Sequence, residues 1–395
     1  MNPLVADRVA DTVPPAVSRM MHKARQLEAQ GVKLTYLMRG EPDFDTPPHI
    51  QRAAMRALQA GETHYSPTQG IPELRCAVAE RMERDFALSF DPNREVLITT
   101  GATMGIYLAV MAVVNPGDEV ILFDPVYDPY PTVVQLAGGI PIRLSAHSNG
   151  DGHFAVERTE LERAISKRTK AILINNPWNP TGTVMAESEL HMLVELAEAH
   201  NLVLIADEIY EKLTFDGRTH HPLAAVSPAA RERTITINSF SKTYAMTGWR
   251  IGYNLAPPDF AEAMLRIAEQ FSRSAATFTQ RAALEALNGT QEPTSQMMAT
   301  YAARRALITR TLRDAGFTTF SPPEGTFFAL LDVRRYEKDA DSMADYLLEH
   351  AHVVTIPASV YGAAGEGFLR LSFAYHQDNL QRGLTAVIRA LNELD

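Results

Sequence analysis

One lysine in this sequence stands among residues that suit chemistry better than a solvated surface. In residues 238–252 Lys242 follows Ser239 and Ser241 and precedes Arg250, and apolar, strand-like residues flank the run at 234–237 and 250–255. A lysine amine condenses with a carbonyl once burial or nearby cations lower its pKa. Ser239 would offer a phosphate a neutral donor, and Arg250 a planar two-pronged one. An aldehyde that carries a phosphate meets both demands, and pyridoxal 5′-phosphate (PLP) is such a molecule. The competing reading is a turn that a lysine and an arginine happen to flank.

Other stretches supply groups that such a cofactor would need. Residues 100–105, Thr-Gly-Ala-Thr-Met-Gly, follow a strand and open a helix. Small residues there expose backbone N–H groups to an anion at the helix N-terminus; a tight turn capped by Thr103 reads equally well. Tyr127, in the run 124–130, is placed to stack on an aromatic ring. Residues 175–182, Asn-Asn-Pro-Trp-Asn-Pro-Thr-Gly, form a rigid turn that presents Asn179, whose amide can donate to a phenolate or a carboxylate. Asp207 ends an apolar run with Tyr210 three residues on, so one helical turn would bring both to a single face. A buried carboxylate needs a cation, which a protonated pyridine would be, although an aspartate at a strand end also serves as a helix cap. Glu208 is expected to face solvent. Arg370 lies inside the apolar strand 368–372, where pairing with a substrate carboxylate or with an internal acid would offset its burial.

These residues need a frame. Strands are expected at 95–99, 119–124, 140–144, 171–175, 203–207, 234–238 and 250–255. Helices fit between most of them, as at 103–114, 187–200 and a short 208–213. Short apolar strands alternating with helices predict a mostly parallel sheet covered on both faces, with ligands beyond its carboxyl ends. Upstream, helices are expected at 16–29, 49–60 and 72–86, with a strand at 33–38. The turn-rich loop 39–48 lets the backbone at Gly40 approach a ligand. After about residue 288 a long helix (293–315), strands at 318–320, 326–332, 353–356 and 368–372, and helices at 342–350 and 379–394 make a smaller α+β unit. The domains are therefore expected at 46–290 (large), 291–395 (small) and 1–45 (an N-terminal segment joining the small one).

The chain has 395 residues, enough for more than one core, with 46% hydrophobic and 21% charged residues, as in ordinary globular proteins. A net charge of -10 argues against nucleic acid and against a basic membrane-binding patch. The lone Cys76 rules out an internal disulfide and is expected to be a plain buried thiol. The His220-His221 pair is read as part of a polar loop, and the histidines show no metal-binding spacing. With no membrane-length apolar run and no signal-peptide core, a cytoplasmic protein is expected.

Taken in order, the Gly-Glu-Pro-Asp-Phe-Asp-Thr-Pro loop at Gly40, the Asn-Pro-Thr-Gly turn, the Asp-Glu-x-Tyr strand end, the Ser-x-Ser-Lys run and the arginine strand resemble the fold-type I, class I/II PLP-dependent aminotransferases. The likeness is greatest to a bacterial branch that includes broad-specificity aspartate aminotransferases. It spans nearly the whole chain and implies a PLP-transferase fold of type I, in which an amino group passes from an L-α-amino acid to a 2-oxo acid by a ping-pong route. It further implies that Lys242 forms the Schiff base and moves the proton, and that Asp207 pairs with the pyridine nitrogen. Tyr210 and Asn179 would hold the ring oxygen, and Tyr127 would stack on the ring. Ala102, Thr103, Ser239 and Arg250 would bind the phosphate. Tyr65 would reach the phosphate in a neighbouring subunit, which calls for a homodimer. Arg370, Asn179 and the Gly40 backbone would receive the α-carboxylate. A carbon–sulfur lyase or an oxidase on the same fold shares the first chemical step, and a PLP-binding sensor without turnover is the remaining alternative. Arg273 as a receptor for an acidic side chain, Tyr361 as a selector of bulky substrates, and residues 13–17 are further candidates for shaping the pocket.

Overall fold

The computed structural model describes Ala6, Val9 and residues 16–148, 152–317 and 320–394. Its centre is a seven-stranded sheet built from β1 (Val96–Thr99), β2 (Glu119–Asp124), β3 (Ile140–Ser145), β4 (Thr169–Asn175), β5 (Val203–Asp207), β6 (Thr234–Ser239) and β7 (Gly252–Leu255). The spatial order is β1-β7-β6-β5-β4-β2-β3. β7 runs antiparallel to both of its neighbours, and the other pairings are parallel. All residues of β1, β2, β5, β6 and β7 are buried, as expected for strands covered by helices on both faces. β4 is buried except at Lys170, and the edge strand β3 is partly exposed.

Register carries the site. Asn175 pairs with Asp207, Asp207 with Ile237, and Gly252 with both Ser239 and Thr99. The carboxyl ends of β4, β5 and β6 are thereby aligned. Because β7 is antiparallel, its start, just after Arg250, lies at that same edge.

A three-stranded sheet, β8 (Phe328–Asp332), β9 (Ile356–Pro357) and β10 (Phe368–Ser372), stands apart with order β8-β10-β9. Arg370 is its central residue, opposite Leu330 on one side and Ile356 on the other. Thr35–Tyr36 pairs in parallel with Val353–Val354, and Ser372 N–H donates to the Leu37 carbonyl at 2.7 Å. The loop at Gly40 is thus carried beside Arg370.

The structure departs from the sequence expectations in several places. The strand expected at 33–38 is only the pair Thr35–Tyr36, and the chain from 208 to 213 forms turns, not a helix. The helix expected at 342–350 ends as an α-helix at Tyr346 and continues as a π-turn, Leu347–Ala351. Positions 318 and 319 of an expected strand lie outside the described residues, as do positions 13–15 of the expected pocket segment; Phe320 is not in a strand. Cys76 is exposed, because it falls on the outer face of helix Pro72–Phe86 while Leu74, Ala77 and Val78 take the inner one.

Candidate active site

The aligned strand ends, the Gly40 loop and Arg370 enclose a cavity of about 770 Å³. Gly40, Ala102, Thr103, Tyr127, Asn179, Asp207, Tyr210, Ser239, Lys242, Arg250 and Arg370 all line it. Tyr65 does not; it is 84% exposed on the surface, with the Arg273 guanidinium 5.4 Å from its ring centre.

Lys242 sits on the single helical turn Phe240–Thr243 that β6 leads into. Its Nζ donates to the Gly40 carbonyl at 2.5 Å and lies 5.8 Å from the Tyr210 ring and 5.7 Å from the Phe327 ring. Protein surrounds the side chain, yet its amine opens on the cavity. Burial lowers its pKa to about 8; Glu41 and Asp207 oppose that shift, and Arg370 and Arg250 add to it. Near neutrality part of the population is therefore a free amine, the form that attacks a carbonyl.

Asp207 lies at the cavity floor, where β5 ends. Tyr130 Oη donates to its Oδ2 at 2.6 Å, and the Ile209 N–H donates to its Oδ1 at 3.3 Å. Burial raises its pKa to about 6, and Tyr130, Ile209 and Lys242 restrain the rise. Asn175 fixes the strand end: its Nδ2 donates to the Asp207 carbonyl at 2.9 Å, while its Oδ1 accepts from the Asn179 N–H at 2.8 Å. Asp207 and Tyr210 converge through turns: the Glu211 N–H bonds the Glu208 carbonyl at 3.0 Å and the Leu213 N–H bonds the Tyr210 carbonyl at 2.7 Å. Glu208, expected in solvent, is buried, because the turn directs it away from Asp207. There its Oε1 accepts from the Leu223 N–H at 2.9 Å, and its Oε2 lies 3.3 Å from Nε2 of His220, which is buried although the loop that carries it exposes Arg218, Thr219 and His221.

A third group of donors surrounds the start of helix Ala102–Val113. Gly101, at φ +83°, precedes it, and a Cβ there would stand 2.5 Å from Arg250 Nη2. Only glycine lets that guanidinium close over the helix N-terminus. Ser239 Oγ donates to Ser241 Oγ at 2.8 Å and accepts from the Ser241 N–H at 3.0 Å. The helix N-terminus, the serines and an arginine make a cradle for a dianion.

Arg370 is buried without an acidic partner among the described residues. Its Nη1 donates to Asn179 Oδ1 at 3.3 Å, its Nη2 donates to the Met38 carbonyl at 3.1 Å, and its Nε has no partner. Its guanidinium lies over the rings of Phe328 at 4.3 Å and Tyr361 at 5.2 Å. These contacts hold its position and leave its charge for a ligand.

The donor set fits PLP: an anion cradle at one end, a carboxylate deep at the other, and an amine of lowered pKa between them. Sequence reasoning missed Tyr130, Glu41, Asn175 and Phe328. Tyr130 was within reach, since it follows Tyr127 by three residues at the same strand end. Glu41, which accepts from Thr247 Oγ1 at 2.9 Å, was within the Gly40 loop.

The family model for aminotransferase class I and II matches residues 32–387. The chain is 37% identical over 391 residues to an aspartate aminotransferase of Geobacillus stearothermophilus, with 98% of both chains covered. It is 38% identical over 388 residues to an aspartate/prephenate aminotransferase of Thermus thermophilus, covering 97% of this chain and 98% of that one. Among solved structures, an aspartate aminotransferase from Rhizobium meliloti superposes with a TM-score of 0.94 at 31% identity, covering 99% of each chain. The Thermus thermophilus aspartate aminotransferase with maleate superposes at 0.91 with 38% identity, covering 98% of this chain and 99% of that one.

Proposed function

This chain belongs to the class I and II aminotransferases, which are PLP-dependent transaminases, and from that premise we propose that Lys242, Asp207 and Arg370 carry the transfer of an amino group from an L-α-amino acid to a 2-oxo acid. When bound, PLP supplies an aldehyde for an amine and a ring that takes up the electron pair left when a Cα proton departs. Lys242 would hold the cofactor through its amine and, when free, would take a proton from the substrate Cα and give it back to the neighbouring carbon. Asp207, oriented by Tyr130 and the Ile209 N–H, would pair with the ring nitrogen. Tyr210 and Asn179 would hold the ring oxygen, and Tyr127 would cover the ring. Ala102, Thr103, Ser239 and Arg250 would hold the phosphate. Arg370, with Asn179 and the Gly40 backbone, takes the α-carboxylate and so presents Cα to Lys242.

The observation that carries this reading is the amine of lowered pKa facing one cavity with a buried Asp207 and a deep Arg370 that makes no ion pair among the described residues. We assign the large domain to residues 46–290 and the small one to 291–395, with 1–45 joining the latter. A homodimer, with Tyr65 completing the partner's site, is supported by the exposed apolar side chains Met55, Leu58, Tyr65 and Phe271. A cytoplasmic location suits the acidic charge, and among the described residues no helix is long and apolar enough to cross a membrane. The test is a half-reaction. With PLP bound, a single amino acid should discharge the visible band, and a 2-oxo acid should restore it. Release of ammonia, or consumption of dioxygen with the band retained, would move the assignment to a lyase or an oxidase.

A further inference from the structure

Allocating the charges of the cavity leaves two carboxylates over: Glu41 at the rim, which accepts from Thr247 Oγ1 at 2.9 Å, and Asp128. Asp207 is taken by the ring nitrogen, Arg250 by the phosphate, Lys242 by the aldehyde and Arg370 by the α-carboxylate. Asp128 lines the same cavity beside Tyr127, Tyr361 and Arg370 and has no task in that scheme. It stands where an aspartate would cap helix Pro129–Leu136, yet its side chain makes no cap hydrogen bond. Its side chain is half-buried. Burial pushes its carboxyl upward, Arg370 draws it back, and only its own backbone bonds to it.

A partly desolvated carboxylate without a partner costs free energy, and a ligand that brings the missing donor recovers it. The same carboxylate repels an acidic side chain, so it would discriminate in both directions. We propose that Asp128 receives a nitrogen at the end of the substrate side chain, so that the preferred amino donors are diamino and guanidino acids and not dicarboxylic ones. The proposal rests on Arg370 being the α-carboxylate receptor, since that contact directs the side chain into the rest of the cavity. The spare cation at the rim, Arg39, does not reverse the balance. It is exposed, lies 5.3 Å over the Tyr375 ring, and shares the rim with Glu41 two residues on. Solvent screens an exposed charge of that kind more than a half-buried one.

The test is a single-turnover panel on the full chain loaded with PLP, using ornithine, arginine, aspartate and norleucine as separate donors and following the visible band. Ornithine and arginine are expected to exceed both others at least tenfold in rate over dissociation constant. Asp128→Asn should cut the ornithine-to-norleucine ratio at least tenfold, and Asp128→Glu should retain it. Calorimetry of the cofactor-free chain with N-phosphopyridoxyl-ornithine and N-phosphopyridoxyl-aspartate gives a readout free of turnover, in which the ornithine adduct should bind at least tenfold tighter. Aspartate equalling or exceeding ornithine in the unmodified chain, or a ratio untouched by Asp128→Asn, overturns the proposal. If the asparagine variant does not fold, the unmodified chain's own ratios decide. Failure of the underlying transaminase reading looks different: no amino acid of the panel discharges the band, and this proposal falls with it.

Discussion

At the scale of single residues, the site works by setting charges where water cannot freely answer them. Lys242 is the plainest case. With its pKa lowered to about 8 by burial, the cofactor-free chain should take up PLP covalently at a rate that climbs with pH through about 8 and levels above it. Stopped-flow absorbance checks this; a rate still climbing near pH 10 would mean an ordinary, solvated lysine. Arg370 is held by Asn179 Oδ1 and the Met38 carbonyl, neither of them an acid, and its Nε has no partner, so its guanidinium keeps hydrogen-bonding capacity for an arriving carboxylate. Hydrogen bonds to charged groups are worth about 1.5–3 kcal/mol each. Arg370→Ala should therefore raise KM for amino acid and oxo acid alike by about a hundredfold, with kcat affected less. Unchanged kinetics across several substrates would make the arginine structural. Lys242 was legible in the sequence because it sits among small hydroxyl residues between two apolar runs, and Arg370 because it is a charge inside an apolar strand. Glu208 was not, because its burial follows from a turn whose direction depends on Leu223 and His220, both remote in sequence.

Secondary elements determine where those charges meet. The strands could be read from the chain because each is a short apolar run, and the sheet's carboxyl edge could be inferred as the binding edge. The turns were harder. Asp207 and Tyr210 were expected to meet on a helical turn, but non-helical backbone brings them together, since three-residue spacing is compatible with either. Gly101 shows how tightly one element constrains another. It joins β1 to helix Ala102–Val113 at a positive φ, and a Cβ would collide with the Arg250 guanidinium. Gly101→Ala should leave the fold intact and weaken PLP about ten- to a hundredfold, because about 1–3 kcal/mol of backbone strain adds to displacement of Arg250. Titration of the cofactor-free chain with PLP measures it, and an affinity within twofold of the original would sink the account. The Gly40 loop has a comparable anchor: Arg304, on helix Glu292–Asp314, grips Asp43 through bonds of 2.6 and 2.8 Å. Removing one member of such a buried pair costs about 3 kcal/mol. Arg304→Ala should lower Tm and raise KM together, because the anchored loop carries the Gly40 backbone.

At the scale of the whole molecule, the two sheets must keep their relation for Arg370 to face Lys242. One tie between them is His153, which follows β3 and lies between two acids. Its Nε2 is 3.1 Å from Glu189 Oε2, at the start of helix Glu187–His200, and its Nδ1 is 3.0 Å from Glu324 Oε2, just before β8. A neutral imidazole has one N–H to give, so two carboxylate contacts require the cation. The hydrogen bonds it donates to Glu189 and then Glu324 raise its pKa to about 9 against the opposing effect of burial. A histidine whose folded pKa is raised contributes stability that is fully present below its ordinary value near 6.5 and is lost as pH rises through the folded value. The side chain is 19% exposed, so after allowance for solvent the tie is worth about 2 kcal/mol. His153→Gln, which can satisfy only part of this geometry, should melt several degrees below the unmodified chain at pH 6. The difference should shrink through about pH 9 and nearly vanish by pH 10. Thermal denaturation across that range checks it. A gap that stays constant with pH would show that His153 acts by shape alone, and that the bond between the two sheets is not ionic.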